Sequence, residues 1–476
     1  MRMVCVAVLV ISALGSIVAN PVLGATPPQI DVSIDTSNQT GTNGYQTGFQ
    51  LDQDWSYFRD SLACRSLTSA ANFKLVRVIT FKDTSPQPCT YWYESTRTGK
   101  WDWTTTDKLI QQVFASGAQP LVTLKSFPAI YGSPPGVPPG MKINPATNLP
   151  DSESFAAYCA AWVKHFKSIG KPIKYWEVFN EAWYYFFKSW GVADSTRLAN
   201  FVKLLDTCVK RMREADPAIL VGNDAGTYKC FLDYYVTHGA GLQFLSFHKY
   251  DTGSITSSES SLLNAAETHC FQTSSTMYSP NDARNKYYSA KGVKPAVLLT
   301  ETNLNYIYED GADPRIQKVV GAVWTALMLR SCILGGVRFS VYYCWSSSKS
   351  SQSGTSTHGY GFGMINRDDS KPWYPYYVQK MFALNLATGD KIVRTTSTSS
   401  EVRPLAWIHA GKLNLMIICK ANSARNLRLR GISGSMNYNK IDSAISYTSP
   451  RVQTGSINSA NLVSLRGYTV MLLQKV

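Results

Sequence analysis

The chain has little of what a metal centre needs. Its six histidines are scattered, and none of its ten cysteines stand at the close C-x-x-C spacing of a zinc site, so no metal or other cofactor is expected. Acidic residues are also scarce: 32 Asp and Glu face 47 Lys and Arg, a net charge of +15. The excess is dispersed. Its densest patch, Arg425 to Arg430, ends in arginines alternating with leucines, like one face of a strand. No nucleic-acid motif accompanies it, so no nucleic-acid partner is expected, although a basic surface attracts anionic glycans and cell surfaces. Internal repeats and low-complexity tails are missing.

Only one long apolar run occurs, Val4 to Ala19, preceded by Arg2 and followed by Gly24 and Ala25. That order is the order of a secretory signal peptide, here residues 1–25. An uncleaved N-terminal anchor is the alternative. With no second run, the mature chain is expected outside the cell or at its surface, with no stable membrane insertion once the signal is cleaved. Cys5 leaves with the signal, and an odd number of cysteines remains. Export permits disulfides; Cys64 with Cys89 and Cys230 with Cys270 are plausible pairs, while Cys344, inside an apolar strand, reads as a free buried thiol. Oligomeric state is not legible.

Short β-branched or aromatic runs fill much of what remains. They are Ile30–Ile34, Leu75–Phe81, Pro120–Leu124, Ile173–Phe179, Ile219–Gly222, Phe244–Phe247, Ala296–Thr300 and Val337–Tyr343. Amphipathic stretches lie between them. In Ser154–Ser168 the residues Phe155, Tyr158, Trp162 and Phe166 recur at helical spacing, and Leu198–Ala215 and Arg315–Leu334 read similarly. Eight strands alternating with helices predict an α/β fold, a (β/α)8 barrel over residues 26–390. The Gly-, Thr- and Asn-rich Gln39–Gly48 reads as a loop, and Ser126–Pro150 and Asp251–Ala296 as long rim insertions. From Lys391 onward short strands with polar turns take over, which predicts a small C-terminal all-β, sandwich-like domain over 391–476.

Barrel enzymes carry their chemistry at the C-terminal ends of strands. Glu181 follows the strand that contains Trp176, Glu177 and Val178, and Glu301 follows Leu299-Thr300. Two such carboxyls are what a retaining glycosidase uses, one as proton donor and one as nucleophile, about 5–5.5 Å apart; either alone could equally cap a helix. Asn180 could hold a sugar hydroxyl or simply form a turn. Glu177 shares the strand parity of Glu181 and is expected to make a structural pair inside the barrel. Arg77, mid-strand, must be paired, and beside Glu301 it would keep that carboxylate ionised. His248 and Tyr250 end the sixth strand, where the tyrosine hydroxyl could position the nucleophile. Trp345 ends the eighth, where it could floor a sugar subsite or sit in the core.

Trp176-Glu-Val-Phe-Asn-Glu181 resembles the acid/base strand of clan A glycoside hydrolases, commonly W-E-x-W-N-E-P, with Phe179 and Ala182 departing from it. Leu299-Thr-Glu-Thr-Asn303 resembles the nucleophile strand. Arg77, His248-x-Tyr250 and Trp345 fall where such families often carry Arg, His-x-Tyr and Trp, and families 5 and 39 are nearest in appearance. The resemblance, over Leu75 to Leu386, implies Glu181 as acid/base, Glu301 as nucleophile and a covalent glycosyl-enzyme formed on a β-linked polysaccharide or oligosaccharide. The third strand ends in Leu-Lys-Ser, without the histidine of many family 5 members, so that family's substrate rules do not transfer. The sugar, its linkage and endo or exo action are not legible. A non-catalytic glycan-binding protein on the same barrel and a transglycosylase are the alternative readings.

Overall fold

A computed structural model describes residues 26–51, 54–80, 87–125, 136–189, 192–307, 313–347, 361–446 and 449–476. The expected signal segment, Phe81 and the first part of the Ser126–Pro150 insertion lie outside them. Eight parallel strands close a barrel: Gln46–Leu51, Leu75–Ile79, Gln119–Leu124, Tyr175–Val178, Leu220–Asn223, Phe244–Thr252, Ala296–Asn305 and Phe339–Tyr342. Helices follow each strand, among them Thr104–Ala115, Ser152–Ser168, Ser195–Ala215, Lys229–His238 and Tyr374–Asn385. The sixth connection holds two, Glu259–Thr268 and Pro280–Lys291. Asp151 and Asp194 cap their helices by accepting from the backbone N–H of Ser154 and Arg197. No described helix is long and apolar enough to cross a membrane.

Side chains two apart on a strand share a face, and the barrel interior uses this to change character in one step. Its floor is apolar, made by Leu75, Leu121, Tyr175, Phe244, Leu298, Phe339 and Val341. Two residues further along five of these strands the interior turns polar: Arg77, Thr123, Glu177, Ser246 and Thr300 are all buried. Gly222 admits the Phe244 ring, since a Cβ there would lie 2.3 Å from it.

The strand expected to open the barrel at Ile30–Ile34 does not do so. It belongs to Gln29–Thr42, which pairs antiparallel with Lys391–Ser397 and parallel with Arg425–Arg430, inside a nine-stranded sheet otherwise built from the C-terminal region. Residues 26–390 are therefore not all barrel. Ile30, Val32 and Ile34 are buried while their neighbours are exposed or half-buried, an alternation that suits a one-sided strand rather than a barrel strand covered on both faces. Gln46–Leu51, within and just after the expected loop, opens the barrel instead. Its polar letters hid it: Gly48 makes room for Leu75, and Gln50 joins the polar layer.

The C-terminal sheet is apolar on both faces, which explains its nearly continuous apolar strands. Leu405, Trp407, Met416, Ile418, Val470 and Leu472 join the core shared with the barrel. The alternating residues Ala406, Leu415, Ile417, Met471 and Leu473 form the sheet's own core with Ile30 and Val32. Helix Val319–Leu334 packs against this sheet as well as against barrel strands and has no polar face, as burial on all sides requires.

Neither expected cysteine pair forms. All nine described cysteines are free thiols; Cys64 takes the Trp345 indole N–H, and Cys270 faces Cys332 at 3.5 Å. Cys344 is a buried free thiol.

Candidate active site

Backbone geometry presents Glu181. After strand Tyr175–Val178 the chain turns sharply, with Phe179 at φ +69 and Glu181 at φ +56, a left-handed conformation that costs an L-residue about 1–3 kcal/mol. The Phe179 ring, packed between Phe155 and Phe201, anchors the turn. The Glu181 side chain is left 28% exposed and that of Glu301 10%.

Arg77 organises the layer beneath. Its Nε and Nη2 donate to Glu177 Oε2 at 2.9 and 2.6 Å, and Nη2 also donates to Asn180 Oδ1 at 2.8 Å. Nη1 donates to Gln50 Oε1 at 2.6 Å and to Glu301 Oε2 at 3.0 Å. Glu177 receives three further bonds, from Thr123, Ser246 and Thr300. Burial pushes the Glu177 carboxyl upward, but the Arg77 charge, His248 and these hydrogen bonds outweigh it and hold it below the usual carboxylate value. It is the structural partner its strand parity indicated.

The two candidate carboxyls sit in unlike surroundings. Both oxygens of Glu301 accept bonds from strong donors: Oε2 from Arg77, and Oε1 from the Tyr250 hydroxyl at 2.5 Å. Glu181 has no such clamp. Burial raises its carboxyl above the ordinary value, and the positive charges of Lys125 and Arg77 only partly offset this. His248 stands between the two, its Nδ1 3.2 Å from Glu181 Oε1 and 3.7 Å from Glu301 Oε2. Burial pulls this imidazole down to about 4, against the opposing pull of Glu301, so it is neutral near pH 7. Ligand atoms of Glu181, His248 and Glu301 all lie within 4.8 Å of one another, as do those of Glu177, Asp224 and His248. Arg77 already fills acceptor positions on Glu177 and Glu301, so a dication there would meet a guanidinium. The donor set suits protons better than a metal.

Six of the seven residues picked from the sequence converge: Arg77, Asn180, Glu181, His248, Tyr250 and Glu301. Trp345 does not. It is fully buried, 4.3 Å from Phe49 and edge-on to Phe58 and Phe73, and its indole N–H goes to Cys64, so it floors no sugar subsite. Tyr343, two residues earlier, and Tyr306 are aromatics beside Tyr250, with ring centroids 6.4 and 6.3 Å from its own. Two further ionisable groups were not singled out. Lys125, buried at the end of the third strand, acts on Glu181 by its charge. Asp224 directly follows the fifth strand, and its position as a carboxylate at a strand end was the available clue.

No protein-family model matches the chain, and no curated protein matches it in sequence. Solved structures match it in fold. A glucosidase from Croceicoccus marinus superposes with a TM-score of 0.63 at 14% identity, over 94% of this chain and 99% of that one. A monomeric beta-xylosidase from Caulobacter crescentus gives 0.63 at 15% identity, over 94% and 99%. A GH30 endoxylanase from Clostridium papyrosolvens gives 0.56 at 14% identity, over 93% and 99%. The barrel and its appended sheet are thus an architecture found among glycoside hydrolases, shared here as fold.

Proposed function

We propose that the protein is a secreted retaining glycoside hydrolase that cleaves a β-linked polysaccharide or oligosaccharide. The observation that carries this reading is the pair Glu181 and Glu301, with carboxyl oxygens within 4.8 Å of each other and opposite electrostatic surroundings. Double displacement uses carboxyls about 5–5.5 Å apart, whereas inversion needs room for a water between them. Glu301 attacks the anomeric carbon as the bond to the leaving sugar breaks, and Glu181 gives its proton to the departing oxygen. Glu181, now a carboxylate, then takes a proton from a water molecule whose oxygen attacks the same carbon and releases Glu301. Asn180, its carbonyl oxygen held by Arg77, turns its amide N–H toward a sugar hydroxyl. Tyr250 holds the attacking carboxylate in place. Secretion rests on the N-terminal segment, which has the order of an export signal.

The glucosidase, beta-xylosidase and endoxylanase among the fold relatives make β-glucans and xylans the first substrates to try, with mannan, galactan and uronic-acid polysaccharides beside them. Reducing-sugar release by the mature protein, paired with Glu301→Gln, tests the reading. Activity on one substrate that falls at least ~10³-fold in the variant is expected, since the nucleophile is lost. Activity that survives the substitution assigns the nucleophile elsewhere.

A further inference from the structure

Asp224 is a fully buried carboxyl at the end of the fifth strand for which the double displacement has no use. Its surroundings are specific. Oδ2 accepts the backbone N–H of Glu181, at the very residue that stands at φ +56. The same oxygen faces Nε2 of His248 at 3.5 Å, while the other imidazole nitrogen, Nδ1, lies 3.2 Å from the Glu181 carboxyl. Asp224 therefore touches the acid/base residue twice, directly at its backbone and through His248 at its side chain. Among the described residues Asp224 Oδ1 and His248 Nε2 have no hydrogen-bond partner, and ligand atoms of Glu177, Asp224 and His248 lie within 4.8 Å of one another.

We propose that Asp224 is the positioning residue of the acid/base: it holds the Glu181 backbone N–H through Oδ2 and fixes the His248 tautomer that donates from Nδ1 to the Glu181 carboxyl. The inference rests on the reading of Glu181 as acid/base.

Proton placement follows from the groups that face this corner. Asp224 meets Glu177, Arg77, Glu181 and His248, and His248 also meets Glu301 and Lys125. Burial, and then the negative charge of Glu177, push the Asp224 carboxyl well above the usual carboxylate range, with Arg77 opposing. A neutral imidazole has a single N–H. If the acid O–H of Asp224 points at Nε2, that nitrogen must be the acceptor and Nδ1 the donor. Nδ1–H then serves one oxygen of Glu181 in both halves of the reaction, and the other oxygen is kept for the proton that travels. A carboxylate at position 224 would require the opposite tautomer, with Nδ1 competing for the Glu181 proton.

Nitrogen-15 NMR of the full chain labelled at histidine reads this without any substrate. His248→Gln identifies the resonance among six histidines. The expected wild-type result is a neutral ring protonated at Nδ1, unchanged from about pH 5 to pH 8. In Asp224→Asn the amide oxygen keeps the Glu181 N–H and presents an acceptor to Nε2, so the tautomer should invert while the fold holds. The hydrolysis rate should fall on the order of 10²-fold, the usual worth of a correctly placed proton. A wild-type ring protonated at Nε2, a charged ring near pH 7, or a tautomer indifferent to Asp224→Asn overturns the proposal. Failure of the parent reading shows separately, as a Glu181→Gln variant that still hydrolyses glycosides at the wild-type rate.

Discussion

Arg77 and Glu177 are buried opposite charges, and removing one partner strands the other in a place water does not reach. Breaking such a pair costs about 3–5 kcal/mol. Arg77→Met should therefore lower the stability of the folded protein by about that amount, read as a shift of the urea unfolding midpoint. A loss below about 1 kcal/mol would mean that Glu177 is neutral and that the layer is held by its hydroxyl bonds alone. Glu181 offers a test by pH. Its carboxyl is raised by burial, so the acid form persists above the ordinary glutamate range, and the basic limb of kcat/KM lies there. Lys125 is a positive charge that lowers this carboxyl. Taking it away in Lys125→Met should move the basic limb to higher pH. A shift to lower pH would contradict the assignment of that limb to Glu181. Arg77 was conspicuous in the sequence because a charge inside an apolar strand demands partners; Glu301, at a strand end, was one the sequence offered, whereas the pairing with Glu177 is visible only in the fold. Trp345 misled because strand-end position says nothing about which way a ring points, and this one turns outward into Phe49, Phe58 and Phe73.

At the scale of elements, the strands that read most clearly were those buried on both faces, such as Tyr175–Val178 and Ala296–Asn305, where apolar letters run together. Gln46–Leu51 did not, because its inward positions are a glycine and a glutamine chosen by the far side of the barrel. Strand pairing across the ring fixes those choices, and no local window contains that information. Gly222 is a case where the far partner is now visible. A side chain there would enter the Phe244 ring, so Gly222→Val should destabilise the barrel by about 1–3 kcal/mol, with a lower thermal midpoint and no loss of secondary structure in the survivor. Unchanged stability would mean that the Phe244 ring can leave the floor freely. The same limit explains Gln29–Thr42: its alternation announced a one-sided strand, but only the fold shows that its neighbours begin more than 300 residues later, at Lys391 and Arg425.

Considered whole, the molecule is a barrel whose apolar floor supports a charged layer, and whose flank is covered by a sheet that takes its sixth and seventh elements in spatial order from opposite ends of the chain. Arg403 and Lys420 reach across from that sheet to Glu267 on the barrel side, and Tyr468 to Glu259, which ties the two parts together. The barrel and the pair of glutamates could be read from the sequence because they rest on strand ends and local pattern. The sugar could not, because it is decided by the rim around the site. Double displacement depends on how close the two carboxyls stand, and stereochemistry reports on that directly. The measurement is proton NMR of the first product released from a β-linked substrate, before the anomers equilibrate. The β-anomer appearing first is the predicted result. The α-anomer first would mean that a water, not Glu301, attacks the sugar, and would contradict the double displacement.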